Sequence, residues 1–565
     1  MRPYIKESIL GPLFKLIEAA LELIVPLVIA YIIDIGIKGG SISTVIKYSL
    51  LLLLLGAVGL SLSITAQYFC AKTAVGFTTK IREALFSHMQ SFSYTDIDEI
   101  GTSTMITRLT TDAEKVQTGL NLALRLLLRS PFVVFGAMIF AISIDFDASV
   151  SFMAVIPLLS VVVFGILLIT MPLYKRVQGG VDGLMLATRE NLAGARVIRA
   201  FRKENDEIKA FSDVNDALTL VQKRVGRISA LLNPLTYILI NIAILWLIYS
   251  GSIRVDRGEL SQGEVIALYN YMSQILIELI KLANLIISIS KALASAGRIS
   301  KVLDIESQSS FGEENVLSDA EYAVELNGVS LTYKNGGAPA VSGISLKVRP
   351  GETLGIIGGT GSGKSSLVSL IPGFYDATEG EVRIFGNEIH SYSESALRES
   401  IGVVPQRAVL FRGSVRENLA WGSSSADEAE MMRALNIAQA KSIIEEKGGL
   451  DAMIEQGGKN LSGGQRQRLT IARALVGSPK ILILDDSASA LDYATDAALR
   501  SALREISGST TTFVVSQRAA SVMHADRILV LDEGECVGLG THEELLDSCR
   551  IYREIYDSQF KKEGA

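Results

Sequence analysis

Cysteine is scarce in this chain: Cys70, Cys536 and Cys549 stand far apart and without metal-ligand spacing. Their scarcity excludes a disulfide framework and fits a reduced, cytosolic setting for any soluble part. Charge of one sign is lacking too. The net charge is −6 and no basic run occurs, so no nucleic-acid partner is expected. A signal-peptide layout is also missing. The polar start runs straight into a long apolar segment with no small-residue cleavage site, so that segment is expected to remain in the mature protein.

What the chain does have is apolar sequence. Of 565 residues 48% are hydrophobic, and the mean hydropathy of +0.34 points to lipid-facing segments mixed with soluble ones. The apolar runs gather before about residue 295. Six are long enough to cross a bilayer: 9–36, 46–76, 126–146, 149–172, 228–250 and 262–292. A very short acidic link from Asp145 to Ser149 joins the third and fourth. The stretches before the third run and after the fourth are long, polar and rich in Lys and Arg, among them Lys80, Arg108, Arg125, Lys175, Arg189 and Arg202. By the positive-inside rule both face the cytoplasm, as do both termini.

These two excursions read as helices that continue past the membrane and turn at their tips. In 190–205 apolar residues recur at helical spacing among charges, and Val197, Ile198, Ala200 and Phe201 form an apolar spot suited to docking. Residues 303–322 are polar and Ser-rich, as a linker is. The expected division is a transmembrane domain over 1–302, a linker over 303–322 and a second domain over 323–565. In that last part short apolar runs such as 352–357 and 481–484 read as buried strands of an α/β sheet.

The second domain carries a phosphate-binding pattern in the right context. Gly358, Gly359, Thr360, Gly361, Ser362, Gly363, Lys364, Ser365 and Ser366 follow a predicted strand and open a predicted helix. Glycines let successive backbone N–H groups turn inward around phosphates. Lys364 offers a cation to the β- and γ-phosphates, and the Ser365 hydroxyl is placed to ligate Mg²⁺. A second carboxylate near the metal comes from Asp485, at the end of the apolar strand. Together these indicate nucleotide binding with Mg²⁺, and phosphoryl transfer to water, without saying what the hydrolysis is coupled to.

The run Leu461-Ser462-Gly463-Gly464-Gln465 resembles the signature of ATP-binding cassette (ABC) proteins, just upstream of the Asp485 strand. Tyr333 resembles the family's adenine-stacking aromatic, Gln406 its Q-loop, and Ser489 to Asp492 its D-loop. Residues 101–112 and 190–201 resemble its two intracellular loops, tipped by coupling helices near 95–105 and 195–205. The resemblance covers nearly the whole chain and implies a half-size exporter. That means an all-α six-helix membrane domain followed by an α/β nucleotide-binding domain, in an inner or plasma membrane with the cassette in the cytoplasm. It also implies a second half-transporter as partner, each ATP lying between one chain's phosphate loop and the other's signature. Ser462, Gly463, Gly464 and Gln465 would then grip the partner's ATP, while Ser365, Asp485 and Gln406 hold or sense Mg²⁺.

Two departures from the family pattern stand out. Asp486 follows Asp485 where the family has a glutamate that orients or deprotonates the attacking water. Gln517 occupies the position of its switch histidine, and none of the four histidines replaces it. Aspartate is one methylene shorter, and glutamine cannot carry a proton. Both residues serve this chain's own ATP, whereas the signature serves a partner's and is intact. The chain thus resembles the degenerate-site member of a heterodimeric multidrug-type exporter of small hydrophobic or amphipathic substrates. A slow homodimer, and an importer of siderophores on the same fold, are the alternatives. Within the membrane runs, Glu18, Glu22, Glu278 and Lys281 are read as paired internally or near cytoplasmic water, the alternative being a polar cavity for a cationic or amphipathic substrate.

Overall fold

The computed structural model describes residues 2–306, 311–315, 320–334 and 336–560. It divides into two compact units, one of Met1–Gln90 with Ser103–Ile305, the other of Ser91–Thr102 with Glu306–Ala565.

The first unit is helical. Among the described residues six spans are long and apolar enough to cross a membrane: Ile5–Ile37, Ile42–Gln90, Thr102–Ile144, Phe146–Ala193, Glu204–Asp256 and Gln262–Leu303. Crossing needs about 20 residues, and a span of Phe146–Ala193's length reaches about 70 Å, so the helices overshoot the bilayer as the polar excursions suggested. The link at 145–149 is tighter than expected. One helix ends at Ile144 and the next begins at Phe146, because the Asp145 carboxylate caps the new helix by accepting from Ala148 N–H at 2.7 Å. Asp145 and Asp147 both pair with Arg254.

Small residues let the helices approach closely. Ala19, Ala137, Ala141 and Ala267 are buried around Leu23, Phe152 and Tyr271. The Tyr271 hydroxyl donates to the Leu23 carbonyl at 2.6 Å, so its one polar atom is satisfied. The charges singled out inside the spans are paired. Arg129, which the sequence did not single out, joins Glu22 at 2.5 Å and Glu278 at 2.6 Å; Lys281 and Ser130 also reach Glu278, and Lys15 pairs with Glu18.

The excursion tips are short helices. Ala195–Ala200 follows a break at Gly194, with Val197 and Phe201 exposed and Ile198 half-buried. Tyr94–Ile100 is opened by a reciprocal Ser93–Asp96 cap and closed at Gly101. It belongs to the second unit.

In that unit a six-stranded sheet runs, in spatial order, Glu535–Gly540, Arg527–Asp532, Thr353–Gly358, Thr511–Ser516, Ile481–Asp485 and Ile401–Val404. All neighbours but the first pair are parallel. Its central strands are buried without alternation, as in Ile481 to Leu484 and Ile528 to Leu531, whereas the edge strand Glu535–Gly540 is mostly exposed. A four-stranded antiparallel sheet begins at Val324–Leu331. Of the expected linker, Leu303 still lies in the last membrane helix, and Phe311 packs on the cassette core. Its residues 307–310 and 316–319 lie outside the described residues.

Candidate nucleotide site

Parallel register brings four strand ends together. Val515 lies opposite Asp485, Ser516 opposite Ile357, and Leu531 opposite Gly358. Whatever follows these strands therefore meets at one edge of the sheet, where open α/β folds place ligands.

The loop Gly358–Gly363 leaves the first of these strands. Gly361 and Gly363 have φ of 83° and 89°, and a Cβ on Gly363 would sit 2.3 Å from the Ala340 carbonyl oxygen. Only glycine fits there. Gly359 and Gly361 have nothing within 4 Å of such a Cβ, which leaves the outer side of the loop open. Lys364 is buried, and its ammonium donates to the carbonyls of Gly358 at 3.0 Å and Gly359 at 2.6 Å. Burial lowers its pKa, partly offset by Asp486 and Asp485. The Ser365 hydroxyl donates to Asp485 at 2.9 Å.

Two carboxylates stand side by side at the strand end. Burial pushes both Asp485 and Asp486 upward in pKa; Ser365 opposes this at Asp485, and Gln406 and Lys364 oppose it at Asp486. Asp486 holds φ at 46°, a left-handed conformation uncommon outside glycine but more accessible to aspartate than to most residues, and its N–H donates to the Val515 carbonyl. Gln406 reaches it only at 3.5 Å. Ser365 and Asp485 together fit a hard, oxygen-preferring cation that takes its remaining ligands from phosphate and water. Among the described residues no cluster of three or more acidic, His or Cys side chains could hold a metal without such help.

The remaining expected residues fall in two groups. Tyr333 lies beside the loop, its hydroxyl donating to Ser366 at 3.0 Å, while Ser362 is buried near Lys364 and Thr360 is exposed on the loop. Gln517 follows the Thr511–Ser516 strand with its side chain exposed. Ser462 caps the helix Gly463–Leu475, accepting from Gln465 N–H at 3.2 Å while the Gln465 side chain accepts from Ser462 N–H at 3.0 Å. No hydrogen bond joins Ser462 to Gln465 with the phosphate loop among the described residues; Gly464 instead abuts Ala490, where a Cβ would lie 3.1 Å from the carbonyl oxygen.

Sequence reasoning missed two supports of this edge. Gln559, in the final helix Arg550–Phe560, donates to the Gln517 carbonyl at 2.8 Å and accepts from Ala519 N–H at 2.8 Å. Arg518 reaches the Ser489 carbonyl and lies over the Tyr493 ring. Neither belongs to a motif, so no local signal marked them.

Comparison with known proteins agrees with this geometry. The ABC transporter transmembrane region family matches residues 8–279, and the ABC transporter family matches 341–489. An uncharacterized ABC transporter ATP-binding protein of Mycobacterium tuberculosis is 36% identical over 99% of this chain and 97% of its own. The YfiB ABC transporter ATP-binding protein of Bacillus subtilis is 34% identical over 100% and 98%. The Escherichia coli ATP-dependent lipid A-core flippase is 29% identical over 85% and 83%. A bacterial Atm1-family ABC exporter solved with ATP bound shares the fold, with a TM-score of 0.81 at 22% identity, over 100% of this chain and 99% of that one. On these matches the chain belongs to the ABC transporter family, as a multi-pass inner-membrane protein whose cytoplasmic cassette binds ATP and hydrolyses it to drive transport.

Proposed function

We propose that this chain is the weak-site half of a heterodimeric exporter. It comprises a transmembrane domain (1–302), a linker (303–322) and a nucleotide-binding domain (323–565). The observation that carries the reading is an asymmetry within one cassette. Asp486 and Gln517 replace the glutamate and histidine that the family uses on its own ATP, while Ser462-Gly463-Gly464-Gln465 stands intact for a partner's.

In its own site Lys364 and the backbone of Gly358–Gly363 bind the phosphates, Tyr333 stacks on adenine, and Ser365 and Asp485 hold Mg²⁺ with Gln406 sensing it. Bound there, Mg²⁺ would neutralise charge on the transferring phosphate. With Asp485 committed to the metal, Asp486 is left as the base, and its shorter reach leaves a water out of line, a displacement of about 1 Å being worth roughly a hundredfold in rate. Gln517 can hydrogen-bond a phosphate oxygen without carrying a proton. The partner's site, completed by Ser462, Gly464 and Gln465, does most of the hydrolysis. The segments near 95–105 and 195–205 couple the cassettes to the helices.

The cargo is a small hydrophobic or amphipathic molecule moved outward. The names of the lipid A-core flippases of E. coli and Hahella chejuensis support an amphiphilic cargo. Native mass spectrometry of the complex from its own membranes, with ATPase measured on the same sample, tests the pairing. A non-identical half-transporter bound one to one, with turnover, is the expected result. A dimer of this 60.9 kDa chain alone with appreciable ATPase would overturn the asymmetric mechanism.

A further inference from the structure

Beside the nucleotide loop, the second unit contains an aromatic cluster that ATP binding by itself does not require. The helix Lys364–Leu370 ends in a tight turn: Gly373 N–H donates to Leu370, Phe374 N–H donates to Ser369, and Gly373 has φ of 65°. Phe374 and Tyr375 are thereby fixed to the far end of the helix that the phosphate loop opens. Phe374 stacks on Tyr94 with centroids 4.4 Å apart. The Tyr375 hydroxyl donates to Asp98 at 2.6 Å, and its ring meets that of Tyr333 edge-on, 5.1 Å between centroids at 88°. Lys334, next to Tyr333, pairs with Glu99 at 2.9 Å.

Tyr94 and Asp98 stand four residues apart and so share a face of the helix Tyr94–Ile100. Burial, reinforced by Asp98, raises the Tyr375 pKa, so its phenol remains a donor. The tie is short and charge-assisted. It also differs from the Tyr94–Phe374 contact in one useful way: it depends on a single oxygen that can be removed with the ring left in place.

We propose that Tyr375 is a positioning residue that links the adenine end of the cassette, through Tyr333, to the segment Ser91–Thr102, through Asp98. The inference rests on the reading of Tyr333 as the adenine platform. A base stacked on Tyr333 restricts that ring. The edge-on contact then restricts Tyr375, which has only two soft side-chain torsions, and the hydroxyl carries the restriction to Asp98. ATP occupancy thus sets how firmly Ser91–Thr102 is ordered. Tyr375 touches neither phosphate nor metal in this scheme.

Amide hydrogen exchange of the whole complex in lipid nanodiscs, with and without Mg-ATP, tests this, read on peptides covering 358–370 and 91–102. In the parent, ATP slows exchange in both, by about tenfold in the second, as loss or gain of one charge-assisted bond allows. Tyr375→Phe keeps the protection of 358–370 and loses the response of 91–102. Asp98→Asn retains an acceptor oxygen and keeps that response, whereas Asp98→Leu abolishes it. The proposal is overturned if 91–102 ignores ATP in the parent, if it responds undiminished in Tyr375→Phe and Asp98→Leu, or if Tyr375→Phe loses the protection of 358–370. A Tyr333→Ala variant separates the two readings. Undiminished ATP protection of 358–370 there removes the adenine platform itself, while weakened protection with an unaffected Tyr375→Phe removes only the link.

Discussion

The membrane unit and the cassette both bury charge, and they treat it in opposite ways. In the spans every singled-out charge is matched: Arg129 lies between Glu22 and Glu278, Lys281 reaches Glu278, and Lys15 pairs with Glu18. At the sheet edge Lys364 rests on backbone carbonyls, and Asp485 and Asp486 sit side by side with pKa values pushed up by burial. Matched charge closes on itself and holds helices together; charge left short of partners remains available to phosphate, metal and water.

The largest expected effect breaks the matched side. Arg129→Leu takes the shared cation from half-exposed Glu22 and leaves buried Glu278 with only Lys281 and Ser130, and should cost about 3 kcal/mol, the low end for a broken buried pair, read as a lowered unfolding temperature in detergent. Adding Glu278→Gln should recover part of it, and an unchanged unfolding temperature in Arg129→Leu would remove the distinction. On the unmatched side Lys364→Ala should weaken ATP binding about ten- to a hundredfold, as loss of charge-assisted bonds to phosphate predicts. Its unfolding temperature without nucleotide should stay level or rise, since a desolvated cation is lost; a large fall would make Lys364 structural.

Two smaller effects sharpen the contrast. Asp486→Glu should raise single-turnover hydrolysis at this chain's own site about tenfold, by restoring reach toward the water. Unchanged turnover would place the limit at Gln517 instead. Ser462→Ala should cost about 1 kcal/mol as a lost helix cap. It should leave this chain's ATP affinity untouched while lowering turnover of the complex. A fall in affinity would mean that the signature serves its own chain.

Much of this was legible from local pattern because the physics is local. Apolar runs announce lipid-facing helices, and Gly358–Ser366 encodes a loop whose backbone only glycines permit. The Ser462–Gln465 cap is likewise written in four consecutive residues. Arg129 was not legible as the central partner, since Glu22 and Glu278 lie more than a hundred positions away on either side. The support of Gln517 by Gln559 and the tie from Tyr375 to Asp98 were hidden for the same reason.

The sequence by itself determined that six helices precede a cassette, and that a glycine loop, one lysine and one strand-end carboxylate meet at its phosphate-binding pattern. Those features depend on residue type at short spacing, where propensity and sterics act directly. Only the tertiary structure decided which charges are paired, that Asp486 takes a left-handed backbone beside Asp485 at the sheet edge, and that Ser91–Thr102 is built into the cassette's unit. Each of these depends on strands and helices far apart in the chain meeting in one register, and packing sets that register where no local signal can.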